Sequence, residues 1–285
     1  MTTIAWFGAG LLGSGFVEAA LSRKTGVRLW NRTAAKTEPL AAKGAIACAT
    51  PAEAVRDVDR VHVCLSDDQS VESVLEAALP ALARGVPIVD HTTVSPAGAR
   101  ERAARLGAMG VAYVSAPVFM GPINARQASG RMLCAGPTPV VQSLSNALKE
   151  MTGELVILGE DNGAACALKL VGNAMIIGVA GCLADSFALG MGAGLSAESV
   201  QQFVTGFPFA AIVAGRGARM IKGEYDPSFE LSMARKDVRL MCESAAERPL
   251  AVLPGLGQRM DALIAEGHGG KDLGALSITT IPAKK

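Results

Sequence analysis

Short runs of apolar residues alternate with segments of helical periodicity along the N-terminal part of the chain. The runs lie at residues 3–7, 27–30, 45–49, 60–65, 86–90, 111–118, 131–135 and 155–158. Apolar runs of this length, with little polar alternation, are typical of strands that are buried on both faces of a parallel sheet. Because the strands alternate with helices, the pattern predicts an α/β domain with a doubly wound sheet.

The pattern changes at Gly163, beyond which the strand-like runs almost disappear. The rest of the chain has the pattern of helices that break near Gly194, residues 206–208, residues 223–227 and Pro249, where glycine and proline occur. We therefore predict an α/β domain over residues 1–161 and an all-helical domain over residues 162–285.

A glycine-rich turn follows the first predicted strand and precedes the first predicted helix. Its six residues are Gly8, Ala9, Gly10, Leu11, Leu12 and Gly13. In such a turn the first glycine permits a tight bend, the second lets the backbone approach a pyrophosphate, and the third lets helix and strand pack closely. The N-terminus of the helix adds unpaired N–H groups and a partial positive charge. This order predicts a Rossmann dinucleotide-binding domain in which the six residues contact the cofactor.

The end of the second predicted strand indicates which dinucleotide binds. NAD-preferring sites usually carry an acidic residue about 20 positions after the glycines, where it binds the ribose 2′-hydroxyl. This chain instead has Asn31, Arg32 and Thr33. A guanidinium, an amide and a hydroxyl can bind a 2′-phosphate, and no carboxylate is present to repel it. We predict NADP as the cofactor.

Polar residues also follow the fourth and fifth predicted strands. Leu65 ends the fourth strand and Ser66 and Asp67 follow it, whereas Thr92 and Thr93 follow the fifth. Ligands of open α/β sheets bind beyond the carboxyl ends of the strands. We therefore expect these residues to lie beside the nicotinamide ribose and the substrate.

Lys169 is a single cation in the apolar run from Gly163 to Gly190. Asn173 lies four residues on, so the two polar side chains share one face of a helix. Burial disfavours the charged form of a lysine and moves its pKa toward neutrality, which suits a general acid/base. In the alternative interpretation, Lys169 extends its stem along the rim of a core helix and has no chemical role. The nucleotide motif favours the catalytic interpretation.

Composition and charge narrow the class of protein. The formal net charge is +1 without a long basic run, which argues against a nucleic-acid partner. The six cysteines include no C-x-x-C pair, so we expect reduced thiols and no metal site. The first strand begins at residue 3, which leaves no room for a signal peptide and predicts a cytoplasmic protein. Residues 174–184 are apolar enough to suggest a membrane span, but Lys169, Asn173 and Asp185 in the same run favour a buried or interface helix without membrane contact.

Four motifs, in this order, resemble those of the β-hydroxyacid dehydrogenase family, whose NAD-binding domain is of the 6-phosphogluconate dehydrogenase type. They are the glycine turn, the segment from Asp90 to Pro96, the segment from Gly163 through Lys169 to Asn173, and the pair Lys236-Asp237. The family includes 3-hydroxyisobutyrate dehydrogenases and glyoxylate/succinic semialdehyde reductases. The resemblance implies hydride transfer between a nicotinamide and a small hydroxy acid or semialdehyde.

The same resemblance implies roles for individual residues. Lys169 would be the general acid/base, and Asn173 would orient the substrate. Thr93 and Lys236 would contact the cofactor or the substrate. The helical second domain would form a homodimer or a homotetramer.

The segment that corresponds to the family's substrate motif, D-A-P-V-S-G-G, departs from it. Phe119 and Met120 stand where relatives carry a serine and a glycine, Pro122 offers no N–H, and Gly172 replaces an asparagine of the helix motif. The changes at Phe119 and Met120 remove a hydroxyl and add bulk. We expect the substrate to contact Thr92, Thr93, Pro117, Val118, Phe119, Met120, Gly121, Lys169 and Asn173.

Two other interpretations remain open. An imine reductase has a similar architecture with an apolar pocket, which Phe119 and Met120 would suit, although such enzymes usually carry a different residue at the position of Lys169. A non-catalytic cofactor-binding module is the second alternative, and relatives of that kind tend to lose the lysine.

Overall fold

The computed structural model describes residues 2–281 as nine strands, twelve α-helices and short 3₁₀ and π turns. The strands are β1 (Thr3–Phe7), β2 (Gly26–Trp30), β3 (Ile46–Ala47), β4 (Arg60–Val63), β5 (Ile88–Asp90), β6 (Tyr113–Ser115), β7 (Val118–Phe119), β8 (Arg131–Cys134) and β9 (Glu154–Ile157). The helices are α1 (Leu11–Ser22), α2 (Glu38–Ala41), α3 (Pro51–Ala54), α4 (Asp68–Ala78), α5 (Pro96–Ala108), α6 (Pro122–Gln127), α7 (Thr138–Lys149), α8 (Asn162–Gly192), α9 (Ala197–Thr205), α10 (Phe209–Lys222), α11 (Leu231–Ser244) and α12 (Leu253–Leu263).

Six strands form one parallel sheet in the order β3-β2-β1-β4-β5-β6. The strand order reverses between β1 and β4, as in a doubly wound sheet. The helices then follow in the C-terminal part of the chain, so the predicted fold class is confirmed. Because the reversal opens a crevice at the carboxyl ends of β1 and β4, the topology itself places a ligand site there.

The single strand predicted at residues 111–118 is wrong, because the structure divides it between two sheets. β6 pairs with β5 in the large sheet, whereas β7 pairs antiparallel with β8 in a second sheet of order β7-β8-β9. The break falls at Ala116 and Pro117, and Pro117 has no N–H to continue a ladder. The break turns the following residues away from the large sheet.

Alternate residues of β1 belong to two different hydrophobic cores. Trp6 packs in the core that includes Phe16 and Leu29, and Phe7 packs in the core that includes Val61 and Leu75. This division follows from the strand pleat, which directs successive side chains to opposite faces. Both faces of the large sheet are therefore covered, as the apolar runs predict.

The chain divides into two compact units, Met1–Asn173 and Ala174–Lys285. The division falls inside α8, whose first residue is Asn162. The domain boundary expected between residues 161 and 162 stays a prediction. In the second unit, α11 and α12 pack around a core of Leu231, Val238 and Met260.

Asp185 links α8 to the start of α12 within the second unit. Its carboxylate accepts hydrogen bonds from the backbone N–H groups of Ala251, Val252 and Leu253, at 2.6, 2.9 and 2.8 Å. A carboxylate at a helix N-terminus satisfies N–H groups that have no partner within the helix. Its negative charge is also attracted to the positive end of the helix dipole. This buried acid therefore has a structural partner.

Much of the apolar surface of α8 is exposed in the single chain. The exposed apolar residues include Val171, Met175, Ile176, Ile177 and Val179. Among the residues that the structure describes, α8 is the one helix long and apolar enough to cross a membrane. The helix also carries Lys169 and Asp185, which are both buried.

Candidate functional site

A cavity of about 720 Å³ lies at the carboxyl ends of β1, β2, β4 and β5. It is formed by residues of the first unit. The predicted cofactor residues that line it are Gly8, Gly10, Leu11, Leu12, Gly13, Asn31, Arg32, Thr33, Leu65, Ser66 and Asp67, together with Thr92 and Thr93. The structure thus brings together most of the residues that we selected from four separate segments of the chain.

The glycine turn leaves one side of its backbone open. Gly8 has a φ of +108°, and a Cβ there would lie 2.1 Å from the carbonyl oxygen of Cys64. A Cβ at Gly13 would lie 2.2 Å from the Gly8 oxygen, whereas a Cβ at Gly10 would have no atom within 4 Å. Gly8 and Gly13 are therefore needed for the fold of the turn, and Gly10 leaves free space beside the N-terminus of α1. This space fits the pyrophosphate of a dinucleotide.

Asn31 holds the glycine turn from the neighbouring strand. Its Oδ1 accepts a hydrogen bond from the Ala9 N–H at 2.9 Å, and its Nδ2 donates to the Thr33 oxygen at 2.8 Å. Ala9 itself is buried and does not line the cavity. The amide of Asn31 is thus engaged with protein atoms, which leaves the neighbouring cation as the main group available for a phosphate.

Two cations border the cavity beyond β2. Arg32 is exposed, and Lys36, which the sequence pattern did not indicate as a cofactor residue, follows in a 3₁₀ turn at Ala34–Lys36. Both can approach a 2′-phosphate on the adenosine ribose. Asp67 also lines the cavity, and hydrogen bonding from the Ser70 N–H lowers the pKa of its carboxyl, with a smaller contribution from Arg32. A basic residue within one turn of Arg32 is the sequence signal that could have identified Lys36.

Buried polar residues fix the loop that contains Thr92 and Thr93. Thr92 Oγ1 accepts a hydrogen bond from the Leu65 N–H at 3.0 Å, and its own N–H donates to Asp90 at 2.8 Å. Asp90 also accepts a hydrogen bond from the Tyr113 hydroxyl at 2.6 Å. Burial raises the pKa of Asp90, and hydrogen bonds from Thr92 and Tyr113 oppose the shift. The loop is thereby held against the end of β4, beside the cavity.

Two buried histidines form a hydrogen-bonded chain behind the same loop. His91 Nδ1 lies 2.8 Å from the Ala116 oxygen, His91 Nε2 lies 2.9 Å from His62 Nδ1, and Arg60 Nε lies 2.9 Å from His62 Nε2. A carbonyl only accepts and a guanidinium only donates, so each imidazole must donate through Nδ1 and accept through Nε2. Both rings are therefore neutral. Burial lowers the pKa of His91 to about 4 and lowers the pKa of His62 well below its ordinary value.

We expect this pair to destabilise the protein in mild acid. The unfolded His91 binds a proton near pH 6.5, whereas the folded one binds it near pH 4. Between these values the unfolded state holds more protons, so the free energy of unfolding falls as the pH falls, by about 1.4 kcal/mol per pH unit for each such histidine. Thermal melts from pH 7 to pH 4.5 measure this slope.

A variant with glutamine in place of both histidines provides the comparison for the pH dependence of the free energy of unfolding. Glutamine also has one donor and one acceptor, so His62→Gln with His91→Gln removes the two titrations and is expected to flatten the curve. His268→Asn, in the other unit, serves as the control. Equal slopes for the wild-type protein and the glutamine variant would contradict the assignment of neutral buried rings.

Lys169 is buried, with 8% of the residue exposed. Its Nζ donates a hydrogen bond to Asn173 Oδ1 at 2.9 Å and lies 4.2 Å from the centre of the Phe119 ring. Burial lowers the pKa of Lys169. The amide oxygen of Asn173 is a neutral acceptor that aims the amine without the fixed charge of a carboxylate.

The other residues selected for substrate contact are placed differently from one another. Phe119 and Met120 are half-buried, whereas Val118 is buried in the core of the first unit. The Gly121 N–H donates to Asn124 Oδ1 at 2.9 Å at the start of α6. Lys236 lies on α11 in the second unit, where its Nζ is 2.7 Å from Asp237. The roles of these residues in binding remain proposals.

Two family models match consecutive parts of the chain. Residues 3–159 match the NAD-binding domain of 6-phosphogluconate dehydrogenase. Residues 163–278 match the NAD-binding domain of NADP-dependent 3-hydroxyisobutyrate dehydrogenase. The first match alone covers more than half of the chain.

Similar proteins span nearly the full length of the chain. The uncharacterized oxidoreductase YfjR of Bacillus subtilis is 28% identical over 96% of this chain and 98% of its own. L-threonate dehydrogenase of Cupriavidus necator is 25% identical over 94% of this chain and 93% of its own. The solved structure of an imine reductase from Myxococcus stipitatus in complex with NADP⁺ has a TM-score of 0.88, with 25% identity over 97% of this chain and 99% of that chain.

The glycine turn, the open cavity beside it and the full-length matches lead to one classification. The cradle at Gly10 suits a dinucleotide, and both family models describe dinucleotide-binding domains. The chain belongs to the β-hydroxyacid dehydrogenase family and is an NAD(P)-dependent oxidoreductase.

Proposed function

We propose that the protein is an NADP(H)-dependent reductase of small carbonyl compounds, or a dehydrogenase of the corresponding hydroxy compounds, with Lys169 as the general acid/base. Hydroxy acids and semialdehydes are the first substrate class to consider, because the relative named L-threonate dehydrogenase acts on a hydroxy acid. The observation that carries the proposal is the buried Lys169 amine, which is hydrogen-bonded to the neutral amide of Asn173.

NADP is favoured over NAD by the charges around the cavity. Arg32 and Lys36 border the cavity where β2 ends, and the Asn31 side chain is hydrogen-bonded to the glycine turn. Two cations without a carboxylate at the end of β2 favour the extra phosphate of NADP. The nicotinamide supplies the hydride, and the protein supplies position and electrostatic field.

Lys169 would move the proton that accompanies the hydride. In reduction its ammonium hydrogen-bonds the carbonyl oxygen and protonates it as the carbon accepts the hydride, which gives the alcohol. In oxidation the neutral amine accepts the hydroxyl proton. Burial lowers the pKa of Lys169, so its neutral amine forms at a lower pH than that of an exposed lysine. An oriented ammonium also stabilises the negative charge that develops on oxygen.

Imine reduction is a second candidate with its own observation. The Phe119 ring lies against Lys169, where it provides an apolar wall, and the imine reductase from Myxococcus stipitatus has a similar structure. A protonated imine needs no proton from the enzyme at its nitrogen, so Lys169 would then have less effect on the rate. The retained lysine thus favours a carbonyl substrate.

Consumption of NADPH against a panel of aldehydes, keto acids and cyclic imines tests the proposal. We expect turnover of at least one aldehyde or keto acid. Turnover of cyclic imines alone would transfer the assignment to the second candidate. Binding of NADPH without turnover of any member would favour a non-catalytic module.

The partner of the chain is proposed to be a second copy of itself. The exposed apolar residues of α8 include Met175, Ile176 and Ile177, and the two charged residues of this helix, Lys169 and Asp185, are engaged in hydrogen bonds within the chain. An exposed apolar face of this kind suits a homodimer or a homotetramer. We further propose a cytoplasmic protein without membrane or nucleic-acid contact, in which all six cysteines stay as free thiols.

A further inference from the structure

The Phe119 side chain is directed toward α8 by the pleat of β7. Val118 and Phe119 are consecutive in β7, so their side chains point to opposite faces of the small sheet. Val118 is buried in the main core, whereas Phe119 packs against a separate cluster that includes Leu133, Ala135 and Ala165. Phe119 therefore reaches the first turns of α8, where Lys169 also lies.

Gly172 makes room for this ring. A Cβ at position 172 would lie 2.3 Å from Phe119 Cζ and 2.5 Å from Cε1. Carbon atoms without a bond between them do not approach so closely, so any larger residue at 172 would force the ring to rotate away. The two departures from the family pattern, an aromatic residue at 119 and a glycine at 172, are thus one packing arrangement.

The ring also sets the environment of Lys169. With Nζ 4.2 Å from its centre, the ring covers one side of the amine and presents its negative face to it. This contact keeps water from that side and stabilises the ammonium. A substrate carboxylate beside the Phe119 ring would meet the negative face of the ring, which repels anions.

Two backbone positions close to Phe119 offer no free N–H to an anion. The Gly121 N–H is already donated to Asn124 Oδ1, and Pro122 has no N–H. In the proposed reaction Lys169 is engaged with the carbonyl oxygen, so a substrate carboxylate beside Phe119 would have no cation to pair with.

We propose that Phe119 and Gly172 together determine substrate specificity, selecting carbonyl compounds whose group beside Phe119 is uncharged and apolar over those that carry a carboxylate there. This inference rests on the proposed function and, among its carbonyl compounds, ranks those without a carboxylate beside Phe119 ahead of the semialdehydes and keto acids. Phe119 supplies the wall, and Gly172 keeps the wall in place beside Lys169.

Two aldehydes of the same shape test the inference. Succinic semialdehyde and 4-methylpentanal differ in that a carboxylate in the first replaces an isopropyl group in the second. We expect the wild-type holoenzyme to prefer 4-methylpentanal by at least ~10-fold in kcat/KM, since an unpaired charge against an apolar wall is costly to desolvate. Phe119→Ser with Gly172→Asn should reverse the order, mainly through KM. If the ratio of the two kcat/KM values in that variant stays within about twofold of the wild-type ratio, the inference is overturned.

A second comparison isolates the contribution of Gly172. Gly172→Ala is expected to displace the ring and to reduce the preference at least ~3-fold, because the added Cβ overlaps Phe119 Cζ. Gly107→Ala is the matched control, since a Cβ at this glycine of α5 would meet no atom within 4 Å. If Gly172→Ala and Gly107→Ala keep the same substrate ratio, Gly172 does not hold the ring.

Binding of the two product alcohols keeps the test independent of turnover. Calorimetry with the NADP⁺ complex compares 4-methylpentan-1-ol with 4-hydroxybutanoate. Tighter binding of the uncharged alcohol, reversed by Phe119→Ser with Gly172→Asn, supports the inference even if neither aldehyde is reduced, which would count against the proposed function alone. Equal binding of both alcohols to the wild-type and variant complexes would overturn the inference.

Discussion

Replacement of Lys169 by alanine is expected to lower the turnover number by at least ~10²-fold while leaving the affinity for NADPH nearly unchanged. The amine is buried, and its hydrogen bond to Asn173 holds it in one direction. Its contribution as a proton donor is made in the transition state, so the loss should fall on the rate and not on cofactor binding. Steady-state kinetics and fluorescence titration with NADPH measure the two quantities separately.

Three variants separate chemistry from packing at this position. Lys169→Met keeps the apolar stem and should be as slow as the alanine variant. Lys169→Arg keeps the charge but holds its proton at ordinary pH, so it should also be badly impaired. Lys149→Ala removes an exposed lysine of α7 and should leave the rate unchanged. Near-normal turnover by Lys169→Ala with NADPH bound would rule out the proposed acid/base.

Arg32→Ala is expected to weaken NADPH binding about 10- to 100-fold and to leave NADH binding nearly unchanged. The guanidinium borders the cavity at the end of β2, and charge-assisted hydrogen bonds to a phosphate contribute free energy of this order. The preference for NADPH over NADH should therefore fall by the same factor. Dissociation constants of the four combinations of protein and cofactor provide the measurement.

Two further substitutions complete the cofactor experiment. Lys36→Ala should cause a smaller loss in the same direction, because its ammonium is a second cation on the same rim. Arg84→Ala, at an exposed position outside the cavity, should cause none. If the wild-type protein binds NADPH and NADH equally well, the phosphate assignment of Arg32 is wrong.

The cofactor half of the site could be predicted because its signals are local. The glycine turn lies between a strand and a helix, and its roles at Gly8, Gly10 and Gly13 follow from neighbouring residues in the sequence. Buried strands of a parallel sheet also leave strong apolar runs. The edge strand β3 is shorter than expected, at Ile46–Ala47 instead of residues 45–49, because an edge strand has a partner on one side only.

The substrate half could be predicted only in part, because it depends on contacts between distant segments. The sequence showed that Phe119 and Gly172 were unusual, but not that one makes room for the other. His91 likewise gave no local sign that it would pair with His62. Asn31 was chosen for a phosphate, yet its amide is used to hold the glycine turn. Tertiary geometry decides which partner a polar group finds.

The exposed apolar face of α8 has a consequence for how the protein accumulates in a cell. If, as we propose, a second copy covers this face, the single chain is a temporary species that is prone to nonspecific association before it assembles. If burial of the face supplies part of the folding free energy, folding and assembly become one equilibrium, and stability increases with the concentration of chains. Low expression would then reduce both the number of chains and the fraction of them that is folded.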